Sequence, residues 1–407
     1  MPPNDATAPP GNGPLAGVRI LELATVLAGP YATMVLADLG AEVIKVEPPE
    51  GDATRGYGPP WVGRGDERVA AYFLSVNRNK RALRLDLRRP AGQEVLGRLI
   101  GRSDALVENF RPGGLDRLGF DDATLTRLNP RLVHLAISGF GPTGPDRDRP
   151  GYDFIAQAAG GLMSITGFPD EAAGEPTKVG VAISDIVTGL FGAVGLLAAL
   201  RAGVGQRIDI SLLESTLAVL INQAQNAFVT GNSPGRLGNA HPNIVPYETF
   251  ATADGQIVVA VGSERQWPRL CAALELNGLA TDPRFADNDA RVQNRHVLRP
   301  VLAQRFASAS SADWLARLDA AQVPCGPVND VSAAFAQPQA HARAMTVDID
   351  HPRLGPIRQV GLPFELSATP ASIRSAPPLL GEHSDQVLGE LGYDETEIEG
   401  LRRGAVI

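Results

Sequence analysis

Asp185 opens the most apolar run in the chain, and its carboxylate is the first candidate for chemistry. It stands between the β-branched residues Val179, Val181 and Ile183 and a helix-like stretch that runs to Arg201 and Gly203. Two roles fit a carboxylate in that place. Its oxygen can accept a bond from an orphan backbone N–H and cap the helix. It can equally serve as a nucleophile, because the positive end of the helix keeps it ionised at neutral pH. Other reactive groups are sparse. The two cysteines, Cys271 and Cys325, form no Cys-x-x-Cys pair, and no His-Glu-x-x-His or Cys/His cluster occurs, so no metal site is expected. There is no G-x-x-x-x-G-K-[ST] loop, and no G-x-G-x-x-G follows the first strand, so ATP and nicotinamide cofactors are not expected either.

The elements that must present Asp185 alternate in type. Val18 to Leu23 reads as a buried strand, residues 24–30 as a loop, and the next helix closes at Gly40. Strands follow at Glu42 to Glu47, Ala82 to Leu87 and Asp104 to Phe110, with a further one inside 131–140. Helices begun by Pro90 and spanning Asp121 to Leu128 lie between them. Single helices between strands are the signature of parallel βαβ units. The expected fold is α/β: a doubly wound, Rossmann-like large domain plus a smaller α+β domain, with ligands at the carboxyl ends of the strands. The loops that matter are then 24–30, 48–58, 110–114 and 139–151. Past Gly203 come a strand, one long helix and the turn-rich GNSPGRLGNAHPNIVPY. A hairpin turning at Asp254-Gly255 and a mostly helical stretch follow. The expected division is a disordered tail over 1–14, a large domain over 15–215, a linker helix and small domain over 216–340, and a returning segment over 341–407. Gly189, Gly192 and Gly195 recur at spacing three on the apolar helix and read as a close-packing face.

Composition narrows the function. The chain has 407 residues, 44% of them hydrophobic, enough for a full globular core. A net charge of −8 argues against nucleic-acid binding and leaves room for a local basic pocket. The longest apolar stretch, Ile186 to Leu200, reads as too short to span a membrane. The N-terminus, MPPNDATAPPGNGP, has no secretory pattern, and the low cysteine count suits a cytoplasmic location.

Nine segments, in order, carry a family resemblance: GVRILELATVLAGPYATMVLADLGAEVIKVEPPEGDATR, NRNKRALRLDL, ENFRPGGLDRLGF, LNPRLVHLAISGFGPTGP, GYDFIAQAAGGLMSITG, KVGVAISD, HPNIVPYETF, PCGPVN and LLGEH. From about Leu15 to the C-terminus the chain resembles the class III coenzyme A transferases, whose fold is shared by acyl-CoA racemases. The resemblance puts the catalytic aspartate on Asp185. It implies that Asp185 attacks an acyl-CoA thioester to give an aspartyl anhydride, which CoA thiolate converts to an aspartyl–CoA thioester. An acceptor acid then runs the sequence backwards. It implies coenzyme A, carried as acyl-CoA, and a small carboxylic acid as substrates, with no metal, nicotinamide or ATP. It also implies an interlocked homodimer without nucleic-acid or membrane partners.

Binding residues follow residue by residue from the same resemblance. Val26 and Ala28 line the pantetheine and adenine path, and Leu85 lies on the adenine-proximal strand with Arg88 just after it. Asn109 and Phe110 come from the ENF segment. Arg111 and Arg117 meet the CoA phosphates, as guanidinium groups suit. For Arg88 and Arg111 a solvated surface charge is an equal alternative. Tyr152 separates two activities. Racemases of this fold carry a histidine there, and a tyrosine with a pKa near 10 is a weak base at neutral pH. None of the six histidines falls in that motif, although a plain half-buried aromatic at a helix start also fits Tyr152. Departures from the family bear on the substrate. Leu27 stands where oxalate-using members have glutamine, Pro48 replaces an arginine beside the adenine, and no glycine-rich lid loop is found. Formyl-CoA:oxalate transfer is therefore not expected, and the connector GNAHPNIVPYETF resembles members that use succinyl-CoA with a dicarboxylic or carnitine-like acid. His241 fits either an acceptor pocket or a turn-stabilising His-Pro. The rival activities are an acyl-CoA racemase or epimerase, which would exchange the α-proton without an acceptor, and a non-catalytic acyl-CoA binder.

Overall fold

The computed structural model describes residues 13–407, so nearly all of the tail expected over 1–14 lies outside the described residues. Six strands form the main sheet: β1 (Arg19–Glu22), β2 (Glu42–Glu47), β3 (Lys80–Arg84), β4 (Ala105–Glu108), β5 (Val133–Ser138) and β6 (Gln206–Ser211). Their order is β3-β2-β1-β4-β5-β6, and every pairing is parallel. This is the doubly wound arrangement expected from the alternation of elements. The order reverses between β1 and β4, which opens a crevice at their carboxyl ends. Both faces of the sheet are covered, so its central strands read as near-continuous apolar runs. Leu21, Ile44, Leu83 and Leu106 face one core with Leu96, Leu99 and Phe120. Ile20, Val43, Val107 and Leu135 face the other, with Ala32, Leu36 and Leu196.

Strand β3 begins two residues before the expected start at Ala82 and ends before Leu85. Lysine seldom sits inside a sheet without a partner. Here Lys80 is buried and ion-paired to Glu22 at 2.9 Å. The apolar helix is also longer than its uninterrupted apolar run. It spans Ile183–Ala202 and by length and composition alone could cross a bilayer, contrary to the expectation drawn from Ile186 to Leu200. Ala193, Leu196 and Ala199 on it pack in the core against the sheet. A Cβ at Gly189 would stand 2.6 Å from the Ala28 carbonyl oxygen, so glycine lets this helix close onto the Ala28–Asp38 helix. The long helix expected after β6 is broken into Leu212–Ala218 and Ile221–Thr230.

The chain divides into two compact units. One contains the described residues up to Leu162, Val179–Asn222 and Pro338–Ile407. The other contains Met163–Lys178 and Gln223–Gln337, so the stretch just before the Asp185 helix groups with the second unit. The second unit has an antiparallel sheet in which β8 (Gln256–Ala260) lies between β7 (Tyr247–Ala251) and β9 (Cys325–Pro327). Its core is built on Phe250, Trp267, Phe306 and Trp314. The hairpin turns at Asp254-Gly255, with Ser311 N–H donating to Asp254 Oδ1 at 2.7 Å.

Candidate active site

The two loops at the switch point are clasped to each other. Thr25 N–H donates to Asn109 Oδ1 at 2.9 Å, and Asn109 Nδ2 returns a bond to the Thr25 carbonyl at 2.8 Å. One asparagine thus replaces the ladder bonds that β1 and β4 no longer make beyond their ends. A cavity of about 250 Å³ opens beside this clasp. Val26, Ala28, Asn109, Phe110, Arg111, Tyr152 and Asp185 all line it. A larger recess of about 550 Å³ lies by Gly17, Asp104 and Val133. It sits at the amino ends of the strands, where doubly wound sheets do not place their ligands.

Asp185 is the third residue of its helix and does not cap it. Ala182 is the capping residue and offers no side-chain bond. The acceptor comes from another helix: Asp153 Oδ1 takes the Ser184 N–H at 2.8 Å and the Asp185 N–H at 3.4 Å. Asp153 is aimed in turn by Gln157, whose Nε2 donates to Oδ2 at 2.7 Å. Gln157 Oε1 accepts the Val179 N–H at 2.9 Å, tying down the approach to the helix. The Asp185 carboxylate is thereby released from capping and left to face the cavity.

Its ionisation differs from the sequence expectation. Burial, and then the negative charge of Asp153, push the Asp185 carboxyl up to about 7. Those two effects outweigh the helix terminus that was expected to hold it ionised. Asp185 is therefore a carboxylate of unusually high basicity, poised at neutral pH. Tyr72 stands close enough to feel both aspartates, and burial together with their charges raises its phenol.

Not every expected binding residue meets the cavity. The Leu85 side chain is fully buried in the core with Leu96 and Val387, and cannot offer its side chain to a ligand. Arg88 is largely exposed and turns back onto Asp86 at 2.7 Å, as in its surface-charge reading. Arg117 is exposed beside Gly113 and Gly114, outside the cavity lining. Arg111 is exposed at the cavity wall. Tyr152 precedes the Asp153–Ala159 helix and is 62% exposed, so it is not the half-buried aromatic of the bland alternative. Just before it Gly139 and Gly151 meet closely, where a Cβ on Gly139 would stand 2.4 Å from Gly151 Cα. No histidine lines the cavity among the described residues. His241 belongs to the second unit. Its Nδ1 accepts the Asn243 N–H at 3.0 Å and Arg295 holds its carbonyl, which is the turn-stabilising role.

Sequence reasoning missed two groups that act on or respond to Asp185: Asp153 and Tyr72. Asp153 follows Tyr152 directly, but only the folded chain brings it under a helix terminus 32 residues later. Arg149 also lines the cavity and is held by Asp146 at 2.9 Å.

The model of CoA-transferase family III matches residues 15–384. The succinate–glutarate CoA-transferase of Agrobacterium fabrum is 45% identical over 385 residues, covering 93% of this chain and 96% of that protein. An acetyl-CoA:oxalate CoA-transferase of Acetobacter aceti is 40% identical over 361 residues, covering 87% and 90%. Among solved structures, a CaiB/BaiF family protein from Brucella suis superimposes with a TM-score of 0.83 at 44% identity, covering 93% of this chain and all of that one.

Proposed function

The chain belongs to CoA-transferase family III, and on that premise we propose that it moves CoA from succinyl-CoA to a small dicarboxylic acid, with Asp185 as the covalent carrier. An Asp185 oxygen bonds to the thioester carbonyl carbon, the C–S bond breaks, and CoA leaves as thiolate. The thiolate adds to the Asp185 carbonyl, the anhydride C–O bond breaks, and succinate leaves as carboxylate. The acceptor carboxylate attacks the aspartyl thioester, and the same steps in reverse deliver CoA to it. The observation that carries this reading is one carboxylate, raised to about 7, in a cavity at the switch point of the sheet. Raised basicity makes the carboxylate a better nucleophile, and a site that limits water protects the anhydride. A racemase would need a second base across the cavity, and Tyr152 stands where those enzymes have histidine.

A relative named for oxalate is 40% identical to this chain, against 45% for one named for glutarate. The acceptor is assigned as a short diacid, with glutarate the first to test. The expected result is glutaryl-CoA formed from succinyl-CoA and glutarate by the purified chain. Hydroxylamine added during turnover should convert Asp185 to its hydroxamate, mapped by mass spectrometry. Steady transfer with Asp185 never modified would sink the covalent route.

The apolar helix supports an interlocked homodimer as the assembly. Leu190, Phe191 and Val194 on it, and Phe154 nearby in sequence to Tyr152, remain exposed in one chain. Clusters of that kind are usually covered by a partner. Light scattering should give twice the 42.9 kDa mass of one chain, and a monomer at micromolar concentration would refute the assembly.

A further inference from the structure

Val26 lies on the cavity wall in a conformation its side chain resists. Its φ is +69°, in the left-handed region where a β-branched residue is a rare outlier. Such residues persist only where the surroundings hold them, and they cluster at ligand clamps. What holds this one is visible. The Val26 N–H donates to Asp52 Oδ2 at 3.2 Å. Asp52 is itself fixed from two sides: Lys45 Nζ reaches Oδ2 at 2.9 Å, while the Thr54 N–H and hydroxyl donate to Oδ1 at 2.9 and 2.7 Å. Lys45 also binds Glu22 at 2.9 Å and the Ala24 carbonyl at 2.8 Å, so it grips the same loop two residues upstream. Lys80 completes the group with bonds of 2.9 Å to Glu22 and 2.8 Å to the Pro30 carbonyl. These side chains are buried, and ion pairs removed from water seldom stabilise a fold more than apolar packing would. A cluster so placed has a use other than stability: its bonds end on the carbonyls or N–H groups of Ala24, Val26 and Pro30.

We propose that Asp52 is a positioning residue, one that holds Val26 left-handed and so fixes the shape of the Thr25–Ala28 wall on which acyl-CoA lies. The proposal rests on the reading of this cavity as the acyl-CoA site. Asp52 is buried and does not line the cavity. It acts through one backbone N–H, and Lys45 and Thr54 aim it.

The test is a double-mutant cycle between positions 52 and 26, read by steady-state kinetics and by calorimetric binding of CoA. Asp52→Asn should raise KM for succinyl-CoA about ten-fold and change kcat little, since a wall met equally by substrate and transition state affects binding alone. Glycine adopts a positive φ without strain, so in the Val26→Gly background the same substitution should cost no more than about two-fold. Thr54→Val removes one of the bonds that aim Asp52, keeps the ion pairs, and should raise KM about three-fold. That variant carries the test if Asp52→Asn does not fold. Equal penalties in the valine and glycine backgrounds, or a lower melting temperature with KM unmoved, would overturn the clamp alone. A wild-type chain that transfers CoA but shows no binding change in any variant overturns it as well. A wild-type chain that binds no CoA overturns both the clamp and the proposed function.

Discussion

Asp185→Ala is expected to lower the rate of CoA transfer by at least about ten-thousand-fold, because removal of a covalent nucleophile leaves only binding and orientation. The substitution should leave the fold intact. The cap of the helix is made by Asp153 to the backbone of Ser184 and Asp185, so the Asp185 side chain contributes nothing to it. CoA affinity should stay within a few-fold, since the rest of the cavity wall comes from Val26, Ala28, Asn109 and Phe110. The measurement is transfer of label from succinyl-CoA to glutarate, alongside calorimetric binding of CoA and a melting curve. A variant that folds, binds CoA and still transfers at a tenth of the wild-type rate would remove Asp185 from the chemistry and return it to a structural role.

The placement of that carboxylate was legible in the sequence to different depths. The parallel sheet was readable because β1, β2, β4 and β5 are short strands rich in Ile, Val, Leu and Ala, with helical segments in the connections between strands. Strand β2 falls on the residues expected for it, Glu42 to Glu47, since its flanking glycine and prolines bound it clearly. Strand β3 was misjudged because Lys80 is paired by residues far along the chain, and hydropathy cannot register a distant partner. Asp185 was identifiable as a candidate, but its acidity was not. The sequence displays the helix that lowers a carboxyl pKa and hides the burial and the neighbouring Asp153 that raise it. Val26 is the clearest limit. Valine is among the last residues anyone would assign a positive φ, and the Asp52 carboxylate that accepts its N–H comes from a separate loop. The residues expected to contact CoA divided along the same line. Asn109 and Leu85 each stand first after a strand, yet Asn109 lines the cavity while Leu85 turns into the core and Arg88 onto Asp86, a difference of side-chain direction that topology does not reveal.

Asp153 gives the site its own pH signature. A nucleophilic carboxylate works only when ionised, so kcat/KM for succinyl-CoA should rise with pH through about 7 and level above it. Two units below that midpoint, near pH 5, the ionised fraction and the rate are lower by about 100-fold. Asp153→Asn keeps an oxygen to accept the Ser184 N–H but removes the charge, leaving burial as the raising effect. The acid limb should therefore move to lower pH, and the variant should keep a larger fraction of its plateau activity at pH 5 than the wild type. An unmoved limb would mean that Asp153 acts as a cap and nothing more. The same shift has a consequence for stability, with a definite sign. The folded-state carboxyl titrates near 7 against an ordinary 3.8, so the folded chain binds this proton more tightly than the unfolded one. Its contribution is present at acid pH and is lost as pH climbs from about 4 to 7. Asp185→Asn, which cannot ionise, should then be more stable than the wild type at pH 8, by a few kcal/mol, and equal to it near pH 4. Denaturant melts at the two pH values measure this directly. A gap that is the same at both would show that Asp185 titrates as an ordinary carboxyl, and the neutral-pH limb in the rate would then belong to another group.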